Sequence, residues 1–148
     1  VAIDEKIIAA PPQRVFDVLK DGWTYSDWVV GTVHVRDVDA TWPRPGAQLH
    51  HQAGAWPLSL SDTSTVVSCE EPRQLTLCAR IWPLGEATVA FTLTPAGRDA
   101  TRVTIAEEFS AGPLRVMRNQ VNDLLLHRRN SETLKRLSDI ATRARAAR

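Results

Sequence analysis

The sequence predicts an α+β fold, a curved antiparallel sheet of about seven strands wrapped round one long C-terminal helix, with two short helices after the first strand. Three observations predict it. Residues 32–110 alternate apolar and polar with a period of two, in runs separated by Pro, Gly and charged turns. Residues 11–28 carry two prolines and then a helical apolar spacing, with room for two brief helices. From Gly112 onward the period is helical almost to the end of the 148 residues.

Each element follows from its own pattern. "VAIDEKII" alternates as a strand, with Ile3, Glu5 and Ile7 on one face and Asp4, Lys6 and Ile8 on the other. Pro11 and Pro12 stop it. Proline is tolerated in the first turn of a helix, where its missing N–H has no intrahelical partner, so "PPQRVFDVLKD" predicts a helix with Val15, Phe16, Val18 and Leu19 turned inward. Gly22 ends it. "WTYSDWVV" predicts a second short helix, with Thr24 or Ser26 as its cap.

The strands come next. "TVHVRDV" sets Val33 and Val35 against His34 and Arg36, and "TWPRPG" turns the chain. "AQLHHQA" and "PLSLSDTSTVVSC" follow, joined through Gly54, Trp56 and Pro57. After "EEPR", Leu75, Leu77, Ala79 and Ile81 share one face; in the next run Ala87, Val89, Phe91 and Leu93 do. "PAGRDAT" is a hairpin loop, and Val103, Ile105, Glu107 and Phe109 stand in register in the last strand. Clean alternation of this kind gives a sheet with one face on a core and the other in water.

The final helix has about 30 residues, roughly 45 Å at 1.5 Å per residue, enough to cross the sheet. Leu114, Met117, Val121, Leu124 and Leu125 form one apolar stripe, and Leu134, Leu137 and Ala141 a second. Between them "HRRNSE" interrupts the stripe, with His127, Arg128 and Ser131 in the gap. A single helix cannot fill the concavity of a curved sheet along its whole length, which predicts a cavity under that polar midsection.

Composition bounds the function. With 43% hydrophobic and 24% charged residues, the chain fits one soluble domain, residues 1–148. There is no charged segment followed by a short apolar one, as a secretory signal has, and no apolar run near 18 residues, so a cytoplasmic location is expected. Cys69 and Cys78 lie in alternating stretches without CxxC spacing and are expected as small reduced hydrophobes. Charge is uneven. Residues 1–113 hold nine basic and 14 acidic side chains, residues 114–148 nine and three. The terminal helix is therefore basic, either as a solvated outer face or as a contact for an anionic partner.

The candidates for chemistry are few. His51 shares a strand face with Leu49, and Glu107 with Ile105 and Phe109; if those faces point inward, both polar groups enter the cavity. A lone histidine in register is also an ordinary hydrogen-bonded core residue, whereas a carboxylate among apolar neighbours has a raised pKa and can exchange a proton. His127 is a third candidate, with Asp62 and Arg80 behind it. His50 and His51 fall on opposite faces of one strand and cannot share a metal. HExxH, GxSxG, P-loop and GxGxxG patterns are missing, so no metal, nucleotide or other cofactor is expected, nor DNA as a partner.

In order and spacing, "APPQRVFDVLKD", "YSDWVVGTVHVRD", "EEPRQLTL", "ATRVTIAEEFSAGPL" and the basic last helix resemble the START-like (SRPBCC) superfamily with the helix-grip fold. The likeness is to its bacterial polyketide cyclase/dehydrase and lipid-transport group, over essentially the whole chain. It implies that the two short helices close one edge of the sheet near the cavity. Trp23, Tyr25 and Trp28 would then be wedges between sheet rim and long helix, Trp28 as packing, Trp23 and Tyr25 as packing or pocket mouth. The cavity lining it suggests is Trp23, Tyr25, His51, Phe91, Glu107, Phe109, Leu124, His127 and Ser131.

Three functions are compatible with these expectations. The first is binding or carriage of a hydrophobic small molecule, lipid or polyketide-like, in the cavity. The second is a cyclase, aromatase or dehydratase in which Glu107, His51, His127 and Tyr25 move protons. The third is a partner-binding module using the basic helix. Apolar surface around Trp42, Trp56 and Trp82 would suit a homodimer.

Overall fold

The computed structural model describes residues 2–30, 32–53, 60–81, 85–112 and 120–146. Its elements run in the order β1 (Ala2–Ile8), α1 (Pro12–Lys20), a 3-10 turn (Gly22–Thr24), α2 (Tyr25–Trp28), β2 (Thr32–Val38), β3 (Gln48–Ala53), β4 (Leu60–Glu70), β5 (Gln74–Ile81), β6 (Gly85–Pro95), β7 (Thr101–Ala111) and α3 (Gln120–Ala146). The strands form one antiparallel sheet in the order β1-β7-β6-β5-β4-β3-β2. This is the helix-grip arrangement. Register shifts in the β2/β3, β4/β5 and β6/β7 pairings supply local bends, since an extra residue on one strand kinks it against its neighbour.

Register fixes the inner face, because directly opposed residues of antiparallel strands project to the same side. Asp4 faces Ile105, and Ile105 faces Phe91. Phe91 faces Leu75. On the far side of the sheet Ser64 faces both Ala79 and Leu49, and His51 faces both Asp62 and Val35. The alternating apolar positions therefore merge into one buried surface, with Leu49, Leu75, Leu77, Phe91 and Ile105 almost fully enclosed.

Three elements cover that face. α1 turns Val15, Phe16, Val18 and Leu19 inward, and proline sits in its first turn. α2 contributes Trp28, 1% exposed, whose ring meets Phe91 edge-on at 5.7 Å. α3 contributes Leu126, Leu134, Leu137 and Ala141. Its backbone comes close to β1, β7, α1 and α2. Two long-range bonds pin the entry segments: Thr101 donates its hydroxyl to the Ala10 carbonyl at 2.7 Å, and Thr133 Oγ1 accepts the Val30 N–H at 3.2 Å.

Several expectations change. Trp23 is not a wedge: it is 56% exposed, whereas Tyr25 and Trp28, three residues apart, share the buried side of α2. Residues two apart on a helical turn diverge, so Trp23 and Tyr25 could not both point inward. Gly22 is the buried residue of that turn, and a Cβ there would lie 2.9 Å from Val38 Cγ1, so glycine permits a close approach to β2. Thr24 makes no side-chain cap; its hydroxyl donates back to Asp21 O at 2.8 Å. Trp42 is 9% exposed, with its indole N–H on Leu19 O at 3.2 Å, so it does not contribute to an apolar surface for a second copy.

The apolar stripe of α3 is also displaced. Leu124 and Leu125 are 52% and 60% exposed. The inward row is Leu126, Asn130, Thr133, Leu134, Leu137 and Ala141, at helical spacings of three and four, which leaves Leu124 on the far side of the axis. Trp56, Trp82, Leu114 and Met117, and the Val121 side chain, lie outside the described residues.

Candidate functional site

The inner face is apolar except for a set of buried polar side chains drawn from β1, α2, β3, β4, β7 and α3. Asp4, His51, Asp62, Ser64, Glu107, Asn130 and Tyr25 are all 7% exposed or less. A polar group so placed requires a partner, because water is not there to supply one.

Glu107 meets two partners on α3. Its carboxylate accepts two charge-assisted hydrogen bonds from Arg129 Nη2, one on each oxygen, and a third from Asn130 Nδ2 at 3.1 Å on Oε2. On the neighbouring strand Asp4 Oδ1 contacts His127 Nδ1 and lies 3.5 Å from Ser131 Oγ, while Asp4 Oδ2 is buried with no hydrogen-bond partner among the described residues. The helix midsection "HRRNSE" is thus held by two carboxylates of adjacent strands.

Across the sheet a second group forms around Ser64, which is fully buried. His51 Nε2 is 3.1 Å from Ser64 Oγ, and the same serine acts on the nearby Tyr25 phenol, favouring its ionised form. Tyr25 stacks edge-on against Trp28 at 5.4 Å and lies 6.1 Å from the His51 ring. Burial pushes the phenol up to about 12, against the smaller opposing effects of Ser64 and the Arg129 charge; Glu107 adds to the rise. Burial likewise pushes the His51 imidazole below its ordinary value, partly offset by Asp62 opposite it. At neutral pH the pair is a protonated phenol and a neutral imidazole, their ring centroids 6.1 Å apart. Two atoms here have no hydrogen-bond partner among the described residues: His51 Nδ1 and Trp28 Nε1.

The predicted positions separate as follows. Tyr25, His51, Phe91 and Glu107 are buried on the inner face, and Phe109 is half-buried on the same strand face as Glu107. His127 and Ser131 are exposed residues whose polar atoms reach back to Asp4. Arg80 is exposed on β5, with its Nε 4.0 Å from the Asp62 carboxylate. Trp23 and Leu124 are directed to solvent. Asp4, Ser64, Arg129 and Asn130 are the polar groups that strand and helix patterns alone did not single out.

Elsewhere, Cys69 and Cys78 are free and half-buried, with both thiols pushed up by burial. Among the described residues no group of three His, Cys, Asp or Glu side chains is placed to hold a metal ion. No helix of the described residues is long and apolar enough to cross a membrane. Arg128, Lys135, Arg136 and Arg143 are exposed on α3, with Arg136 paired to Glu132 at 3.2 Å. A surface groove of about 390 Å³ opens between α1 and α3, with Arg14, Asp17, Val18 and Ile140 in its walls. It is separate from the inward-facing set.

Comparison with solved structures gives the same architecture. Protein NE0264 of Nitrosomonas europaea superposes with a TM-score of 0.75 at 16% identity, over 97% of this chain and 95% of that one. Protein TTHA0849 of Thermus thermophilus gives 0.69 at 17%, over 97% of both. The Zhui aromatase/cyclase of Streptomyces sp. R1128 gives 0.73 at 16%, over 95% and 92%. At these identities the likeness is one of fold. No curated protein matches the sequence. The family model for polyketide cyclase/dehydrase and lipid transport matches residues 2–141, nearly the whole chain, and the protein belongs to that family.

Proposed function

We propose that the protein binds a hydrophobic small molecule, lipid or polyketide-like, between the inner face of the sheet and α3. The observation that carries this reading is the Tyr25–Ser64–His51 group, a buried polar cluster on an otherwise apolar face, with hydrogen-bonding capacity left over at its edge. Ligand pockets combine an apolar wall with a few such polar atoms, the wall supplying affinity and the polar atoms orientation. The family match is to proteins of lipid transport and polyketide chemistry, consistent with a hydrophobic ligand.

The test is mass spectrometry of small molecules released when the freshly purified protein is denatured, paired with titration of the emptied protein by apolar ligands under tryptophan fluorescence. A stoichiometric lipophile, or saturable quenching that Tyr25→Ala weakens, supports binding. Release of nothing together with no saturable binding refutes it.

A second reading, a cyclase or dehydratase, is favoured by the protonation states around Ser64. A phenol held protonated and an imidazole held neutral are a proton donor and a proton acceptor at one site, the pairing that general acid–base chemistry on a folded polyketide needs. Turnover of a poly-β-keto thioester that is lost in both Tyr25→Phe and His51→Gln separates this reading from simple binding.

A further inference from the structure

We propose that the ligand's polar group is neutral, a carbonyl or hydroxyl oxygen held beside His51 and Trp28, and that fatty-acid carboxylates and other anionic lipids are excluded. This rests on the binding reading above and narrows its ligand class.

The first argument is the charge inventory. Among the described residues, Arg129 reaches the buried polar set with its guanidinium committed to both oxygens of Glu107, Arg80 reaches it from an exposed position with its Nε 4.0 Å from Asp62, and the exposed Arg36 acts on His51 only through its charge. Asp4, Asp62 and Glu107 contribute carboxylates to the inner face. Asp4 keeps one oxygen without a hydrogen-bond partner among those residues. A ligand anion brought in here would lose its hydration, meet no cation buried beside it among the described residues and face existing negative charge, the combination that makes buried ions expensive.

The second argument is the unused hydrogen-bonding capacity. Trp28 Nε1 is a neutral donor in a side chain 1% exposed, and His51 Nδ1 belongs to a side chain 5% exposed; neither has a partner among the described residues. They flank Tyr25, with ring centroids 5.4 and 6.1 Å from it. Buried polar atoms are almost always paired, so such orphans mark where a further group belongs. If His51 Nε2–H donates to Ser64, Nδ1 accepts and suits a ligand hydroxyl; in the other tautomer Nδ1–H donates and suits a carbonyl. Trp28 N–H donates to either oxygen. A neutral oxygen can therefore pair with either atom without bringing a charge.

The experiment is calorimetric titration at pH 8 with matched probes on two skeletons, naphthalene and a linear alkyl chain. Each skeleton is presented as the bare hydrocarbon, a methyl ketone, a primary alcohol, a carboxylate and a primary amine. The ketone or alcohol is expected to bind at least about tenfold more tightly than the carboxylate of the same skeleton. Trp28→Phe removes the donor together with the five-membered ring, so it should weaken the ketone by about three- to tenfold more than it weakens the bare hydrocarbon, the loss of about one hydrogen bond. A carboxylate that binds as tightly as the ketone overturns the proposal while leaving hydrophobic binding intact. An amine that binds most tightly also overturns it, and moves recognition to Asp4. If no probe of either skeleton binds, the binding reading fails and this proposal fails with it.

Discussion

Tyr25 is the one tyrosine in the chain, so its ionisation can be followed without interference from others. Its phenol is pushed from 10.0 up to about 12, chiefly by burial. In the unfolded chain the group has its ordinary value near 10. Below pH 10 both states keep the proton and Tyr25 contributes no pH dependence. Between pH 10 and 12 the unfolded chain has released the proton and the folded one has not, so the unfolded state binds fewer protons and stability falls as pH rises. A shift of about two units corresponds to about 2.7 kcal/mol lost across that window. Urea denaturation from pH 9 to 12 measures the loss, and Tyr25→Phe isolates it, because lysine and cysteine ionisations are common to both proteins. The difference between the two alkaline slopes should account for about 2–3 kcal/mol, and tyrosinate absorbance of the folded protein should have its midpoint near pH 12. A midpoint near 10 while the protein remains folded, or equal slopes in the two proteins, would refute the reasoning that Tyr25 is desolvated in the core.

The opposite sign applies to His51. Its imidazole is pushed below 6.5 by burial, so stability is present above that pH and is lost as pH falls below it and the unfolded chain takes up the proton first; His51→Gln should flatten this acid limb in urea titrations. The Glu107–Arg129 pair should respond asymmetrically. The Glu107 side chain is 3% exposed and that of Arg129 35%, so Arg129→Met strands a buried carboxylate and should cost about 3 kcal/mol. Glu107→Gln leaves a guanidinium that can reach water, and should cost about 1–2 kcal/mol. Equal losses in chemical denaturation would show that Glu107 is hydrated. Thr101→Val keeps the shape of a fully buried side chain and removes its bond to Ala10 O, which should cost about 1–2 kcal/mol and lower the thermal midpoint by a few degrees.

How much of this could be read beforehand depended on whether the deciding partner was near in sequence. The period-two runs through Phe91 and Ile105 needed only local alternation, and the sheet places these two residues opposite each other on one face, as that alternation predicts. Trp28 was readable as packing because a four-residue helix cannot hold itself and must be anchored by a large side chain. β1 is the counter-example. Ile3 and Ile7 are the exposed side, at 63% and 49%, while Asp4 is buried. Apolarity left the two faces of this short edge strand undecided, and the polar contact on the buried face comes from His127, more than a hundred residues later. On α3 one residue of phase is about 100°, so the row through Asn130 and the row through Ser131 differ entirely in what they meet. The interrupted stripe located the polar segment but not which of its residues turn inward. Trp42 failed for the same reason, since its partner is a carbonyl of α1.

The polar midsection of α3 then has a physical role that the interrupted stripe left open. Asp4 and Glu107 sit on paired strands, two register positions apart, and bind His127 and Arg129, two residues apart on the helix. A purely apolar helix can slide or rotate on an apolar sheet at little cost, because hydrophobic contact is non-directional. Two directional polar contacts on adjacent strands remove that freedom, since displacement along or around the axis breaks both and leaves carboxylates in the core. The two carboxylates are thereby committed to placing α3 on β1 and β7. The polar atoms open to a ligand are then those of the Tyr25–Ser64–His51 group and Trp28, carried by α2, β3 and β4 rather than by β1 and β7. Arg129→Met should therefore lower stability while the ketone preference of the remaining folded protein persists, whereas Trp28→Phe, which also loses core packing, should abolish that preference.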